Sequence, residues 1–150
     1  MNSIIIWSHG SSMQIEYSNR ITSVRHTGPF VRIEGKSGQN TWGHFPITNP
    51  VSIDDSSLFL TKILISFRTR NYGFINEILA YDGEKIIFQR TNLQLQGANL
   101  ETEFNVPDHP ILEKGLNIAL GLQFKSDPPN MRDTQVEIIA VGVELSKSDQ

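Results

Sequence analysis

A two-layer antiparallel β-sandwich, jelly-roll-like in its connections, is the fold class this sequence predicts, with a closed β-barrel as the alternative. Three observations predict it. Apolar and polar residues alternate with period two through most of the chain, and helical periodicity is nowhere sustained. Turn signals such as "TGP", "KSGQN", "TNP" and "VPDHP" interrupt the pattern at short intervals. The chain has 150 residues, and a domain of that size buries roughly 68 to 70% of the surface its unfolded form exposes. Residues 1–150 therefore read as one β-sandwich domain that needs no disulfide or metal to hold its core.

In chain order, the runs Ile4 to Trp7, Met13 to Tyr17, Phe30 to Glu34, Thr41 to Phe45 and the residues around Ile53 each fit a short strand. "SLFLTKILISFRTR" is longer, and its β-branched and aromatic content favours strand over helix. Simple alternation there puts Phe59, Ile63, Ile65 and Phe67 on one face and Leu58, Leu60 and Leu64 on the other. "INEILAYDGEKIIFQR" reads as a hairpin, because Asp82-Gly83 supplies the positive φ of a tight turn between two alternating arms. Glu101 to Val106 is a further strand. In "HPILEKG", Pro110 can open a short helical turn and Gly115 can end it.

"GLNIALGLQF" gives the clearest alternation: Leu116, Ile118, Leu120, Leu122 and Phe124 share one face, and Asn117, Ala119, Gly121 and Gln123 share the other. "KSDPPNMRD" reads as a surface loop, since paired prolines cannot donate to a sheet ladder. "TQVEIIAVGVEL" is apolar on both sides, with Ile139, Val141, Val143 and Leu145 on one face and Val136, Ile138 and Ala140 on the other. Such a strand is either central or packed against another copy of the chain.

The formal net charge is -3, so no overall positive field draws in phosphate backbones, and nucleic acid is not an expected partner. Arg68 and Arg70 form a local basic pair of the kind usual at a solvated strand end. No cysteine is present, which excludes disulfides and thiolate chemistry and fits a reducing compartment. The opening "MNSIIIWSHG" lacks a basic n-region and a long apolar stretch, and no run approaches the ~20 apolar residues of a membrane-spanning helix. A cytoplasmic location, with no membrane partner, is the expectation.

Two short motifs carry the functional question. Trp7, His9 and Gly10 in "WSHG", and Trp42 and His44 in "TWGHF", each place an indole and an imidazole on one strand face, because residues i and i+2 point the same way. If the two strands are neighbours, the four side chains line one patch suited to stacking a sugar or another planar ligand. The alternative is that both tryptophans anchor the core and the histidines bond to backbone. Glu16 and Glu34 stand in matching "IE" positions, where outward-facing strand carboxylates are the simpler reading. A metal held by His9, His26, His44 and His109 lacks the close ligand spacing of zinc sites, and calcium at Asp54-Asp55 or at Asp82 with Glu84 lacks the EF-hand pattern. No metal and no cofactor are expected. No serine elbow or phosphate-cradling glycine loop appears.

The order of "WSHGSSMQIEY", "IEGKSGQNTWGHFPITNPV", "YDGEKI" and "VEIIAVGVEL" resembles a group of small, mostly bacterial, uncharacterised β-sandwich proteins. The resemblance covers most of the chain and implies a compact sandwich with no established activity. Three function classes follow. A non-catalytic ligand-binding module, lectin-like or holding a small aromatic ligand, would use Trp7, His9, Glu16, Trp42 and His44. A self-associating accessory domain would bury the two-sided strand in a homo-oligomer. A small enzyme would use His9 or His44 as general base, with a carboxylate on the ring and a concave site beside it. The binding module is the leading expectation, with a saccharide or small molecule as partner.

Overall fold

The computed structural model describes residues 3–147, and for Leu100 the backbone alone. Twelve strands build it: β1 Ser3–His9, β2 Gln14–Ile15, β3 Ile21–His26, β4 Val31–Gly35, β5 Asn40–Ile47, β6 Ser52–Ile53, β7 Ser56–Thr69, β8 Gly73–Asp82, β9 Lys85–Arg90, β10 Ala98–Asn105, β11 Leu116–Phe124 and β12 Val136–Lys147. Seven form one antiparallel sheet in the order β10-β7-β12-β4-β3, with β6 beside β7 and β1 beside β12. The other five run β2-β5-β11-β8-β9. Neither sheet closes into a barrel, so the sandwich expectation holds. No helix among the described residues is long and apolar enough to cross a membrane.

The core lies between the sheets. Phe45 of β5, Phe67 of β7 and Phe124 of β11 are fully buried there, among Ile33, Ile63, Ile118 and Leu145. The alternation read in β11 is the one observed, with its leucines, Ile118 and Phe124 inward.

Simple alternation fails in the two longest strands, for one physical reason. In β7, the pairing with β12 passes from Lys62 opposite Glu144 to Leu60 opposite Leu145, so Thr61 is an extra residue and the inward parity switches across it. Leu58 and Leu60 therefore point into the core together with Ile63, Ile65 and Phe67. Phe59 lies on the other side, stacked on His109 with ring centroids 5.3 Å apart, and Leu64 is buried on the outer side. In β12, the register shifts between Ile138 and Ala140, making Ile139 the bulge. Val136 and Ile138 then share the inward face with Val141, Val143 and Leu145. The strand that reads as apolar on both sides is a one-sided strand with a bulge, and this removes the sequence argument for burying it against a second copy.

One further expectation is corrected, and the surface loop before the last strand is as expected. "HPILEKG" is not helical: the Asp82 carboxylate accepts the backbone N–H of Glu113 at 2.8 Å, of Lys114 at 2.9 Å and of Gly115 at 3.0 Å, and this ties the segment to the end of β8 as a turn. The loop "KSDPPNMRD" contains a 3-10 turn at Met131–Thr134, capped by Asn130 and Asp133 in a reciprocal capping box. The hairpin is as expected, with Gly83 at φ 61° opening the turn between β8 and β9. β3, "ITSVRH", had no clear signal because it is a largely exposed edge strand with little apolar alternation.

Candidate functional site

The outer face of the five-stranded sheet is built from the residues of β11 that point away from the core. Ala119 and Gly121 are small, so this part of the sheet has a low floor, and the neighbouring strands raise side chains around it. One row runs Gln14, His44, Ala119, Leu79, Gln89 across all five strands. Next to it, Gly121 sits between Trp42 of β5 and Glu77 of β8. Trp42 leans over that glycine: a β-carbon placed on Gly121 would lie 3.4 Å from its Cζ3. The indole is thereby held half-buried against the sheet with part of its surface open. On the far side of the row, Asn117 is flanked by Pro46 and Tyr81.

A chain of polar contacts runs beside the indole. The His44 ring reaches Glu16 Oε1 through Nε2 at 2.6 Å and Asn117 Nδ2 through Nδ1 at 3.1 Å. With the Asn117 amide donating to Nδ1, the ring carries its proton on Nε2 and donates it to Glu16. The Asn117 Oδ1 is then buried with no partner. Turning the amide would only exchange which of its atoms is unpaired, and an unmet buried polar atom of this kind costs about 1–3 kcal/mol.

The His44 contact is the largest influence on Glu16 and holds its carboxyl below the ordinary value of 4.5; burial acts in the opposite sense, and the Tyr17 hydroxyl and Arg20 add to the lowering. Tyr17 is raised in turn, chiefly by the same carboxylate. A folded-state value below the unfolded one means that the contact's stabilisation is complete above about pH 4.5 and is lost as pH falls through the depressed value. We expect Glu16→Gln to remove this part of the acid sensitivity. The check is urea unfolding of both proteins near neutrality and below pH ~4, where the gap between them should shrink on acidification. A gap that widens in acid would contradict the pairing.

Of the five residues singled out in the sequence, Glu16, Trp42 and His44 come together here. Trp7 and His9 do not join them. They lie on β1, in the seven-stranded sheet, where Trp7 packs on Gly142 and remains 45% exposed. His9 ends β1 and accepts the Ser11 N–H through Nδ1 at 2.9 Å, capping the 3-10 turn Gly10–Ser12. Beside them is a separate cavity of about 300 Å³ whose wall includes Pro46 and Thr48. The two W-x-H pairs thus make two patches. His26 bonds the Ser11 carbonyl and His109 stacks on Phe59, so the four histidines do not converge. Among the described residues no three His, Asp or Glu side chains group to hold a metal.

Sequence reasoning did not single out Asn117, Glu77 or Tyr81. The available signal was the row of small and polar residues on one face of "GLNIALGLQF", which marks a floor and not a core.

No curated protein matches the sequence. Solved structures match nearly its full length at low identity. The second N-terminal cellulose-binding domain of Cellulomonas fimi β-1,4-glucanase C is 10% identical with a TM-score of 0.56, over 97% of this chain and 93% of that one. TmCBM61, solved in complex with β-1,4-galactotriose, is 9% identical with a TM-score of 0.54, over 94% and 92%. A cyclase from Fischerella sp. is 7% identical with a TM-score of 0.52, over 100% and 90%. At such identities these likenesses show a shared sandwich fold. By sequence, the chain belongs to the family of unknown function DUF6623, whose model matches residues 1–149.

Proposed function

We propose that this protein is a non-catalytic saccharide-binding module and that its site is the outer face of the five-stranded sheet. The observation that carries the reading is the Trp42 indole, laid over Gly121 beside the Glu16, His44 and Asn117 contacts. A pyranose presents an apolar C–H face and a rim of hydroxyls. An indole takes the first by stacking, and the exposed Glu16 carboxylate, held in place by His44, takes the second by hydrogen bonding. Two of the fold's neighbours, a cellulose-binding domain and a module solved with galactotriose, support saccharides as the ligand class.

The test is calorimetric titration with soluble β-1,4-linked gluco-, xylo- and galacto-oligosaccharides. Saturable binding of at least one is expected, and a flat response across the panel would sink the reading.

The enzyme reading has one observation in its favour, the His44 to Glu16 contact. Yet a general base needs one ring nitrogen for its orienting carboxylate and the other for the substrate's proton. Both nitrogens of His44 are engaged, by Glu16 and by Asn117. His9 pairs with no carboxylate among the described residues. The geometry suits holding a ligand better than transforming one.

A further inference from the structure

On the opposite face of the sandwich the seven-stranded sheet gathers arginines. The register sets Arg25 of β3 opposite Arg32 of β4, Arg32 opposite Glu137 of β12, Glu137 opposite Arg68 of β7, and Arg68 opposite Ala98 of β10. These residues alternate with Val31, Ile33, Phe67, Val136 and Ile138, which face the core, so the row lies on the outer side. Arg70 follows β7 directly and joins it at a cavity of about 260 Å³ lined by Arg32, Arg68, Thr69, Arg70, Gln135 and Glu137, with Ala98 at its edge. Three arginines thus line one hollow with a single carboxylate residue, in a chain whose net charge is -3.

The donors are only partly used. Arg32 spends Nε and Nη2 on Glu137 Oε2, both at 2.7 Å, and Arg68 spends Nε on Oε1 at 3.1 Å. Arg70 makes no ion pair or side-chain hydrogen bond among the described residues. Each guanidinium carries five N–H donors, so most remain for a ligand. The group is also held in place. Glu137 clamps Arg32 and Arg68 from between, and the Phe30 ring has the guanidinium carbons of both at 5.0 Å and 5.7 Å from its centroid. Gln135, also in the wall, has its amide fixed by donating Nε2–H to Glu34 at 2.7 Å. Orienting cations by one half-buried carboxylate and an aromatic face, while leaving a surplus of charge, is how planar donors are prepared for a tetrahedral oxyanion.

The geometry points to a second ligand site here, for a small phosphate- or sulfate-bearing molecule, distinct from the saccharide face and on the other side of the sandwich. The cavity lies just under the ~300 Å³ at which pockets for drug-sized ligands begin, so it admits an oxyanion together with a small group attached to it. A protein-sized polyanion finds no extended positive track, since basic residues along this sheet are interrupted by Glu34, Glu103 and Glu144.

Calorimetry in a buffer free of phosphate and sulfate tests the site, with sodium phosphate, sodium sulfate and glycerol phosphate as probes and sodium chloride at matched ionic strength as control. We expect saturable one-to-one binding of at least one probe. Arg70→Ala should weaken it at least about tenfold, the loss of one charge-assisted contact. Its melting temperature without ligand should stay at the wild-type value, because the Arg70 hydrogen bonds that hold the fold, to Gln135 and Gly73, are made by its backbone and survive the substitution. Arg70→Lys should fall between the two. Tighter binding of the ester than of the inorganic anions would make the ligand a phosphorylated small molecule, and the reverse would make it the free anion. Binding no stronger than the chloride control, or equal binding by Arg70→Ala and wild type, overturns the site. The saccharide titrations bear on the other face, so the two readings fail independently.

Discussion

Gly10→Ala is expected to be the most destabilising small substitution in this chain. Gly10 is buried at the start of the 3-10 turn that follows β1, and a β-carbon there would stand 1.8 Å from the carbonyl oxygen of Ile138 and 2.8 Å from its carbonyl carbon. The obstacle is backbone, so no side chain can rotate to relieve it. Ile138 is moreover the residue before the Ile139 bulge, paired with Phe67 on one side and Val31 on the other. Moving its carbonyl means disturbing three strands at once.

Overpacking of a flexible core site costs about 1–3 kcal/mol. With no flexible partner the cost should reach the top of that range or exceed it. At ~2 to 4 °C per kcal/mol for a domain of this size, the melting temperature should fall by roughly 6 to 12 °C or the protein should fail to fold. Gly28→Ala is the control, since nothing lies within 4 Å of its β-carbon, and it should melt within about 2 °C of wild type. A Gly10→Ala protein as stable as that control would show that the turn after β1 does not press on β12 as described.

That contact also shows what was legible in the sequence. Strand content follows from a local property, alternation, and so β11 could be read residue by residue. A bulge is decided by the partner strand. Thr61 and Ile139 each add one residue to a ladder, and nothing in "LFLTKIL" or "VEIIAVG" marks which residue is extra. The parity error at Phe59 and the two-sided reading of β12 both come from this. β3 was invisible because an exposed edge needs few apolar residues.

The site was half legible for a related reason. The spacing of Trp42 and His44 puts both on one face wherever the strand lies, and Glu16 reaches that face because β2 pairs with β5, Gln14 opposite His44. Trp7 and His9 repeat the spacing but belong to a strand that pairs with β12, the last in the chain. Sheet membership is a long-range choice, and two matching motifs do not reveal it.

Trp42→Ala is expected to abolish measurable saccharide binding while leaving the protein folded. The indole is half-buried on the outer face, and its removal takes away no part of the inner core. The stability cost should be about 1–2 kcal/mol, between the ~3–5 kcal/mol of a core Trp→Ala and the roughly 0.5 kcal/mol of an ordinary surface change. For binding the same side chain is the stacking platform. Aromatic anchors at the centre of an interface cost ~2 kcal/mol or more when truncated, which is a loss of at least about 30-fold in affinity. For a module of modest affinity that takes the signal out of range.

Trp42→Phe should recover part of the affinity, because a smaller ring still offers a flat apolar face. Trp7→Ala separates the two patches: it removes an equally aromatic and more exposed indole from the other sheet, so its binding should equal wild type. If Trp7→Ala loses the saccharide and Trp42→Ala keeps it, the site belongs instead to the hollow beside β1. If a Trp42→Ala protein unfolds at the cost of a core residue, the indole is a packing anchor and the platform reading fails with it.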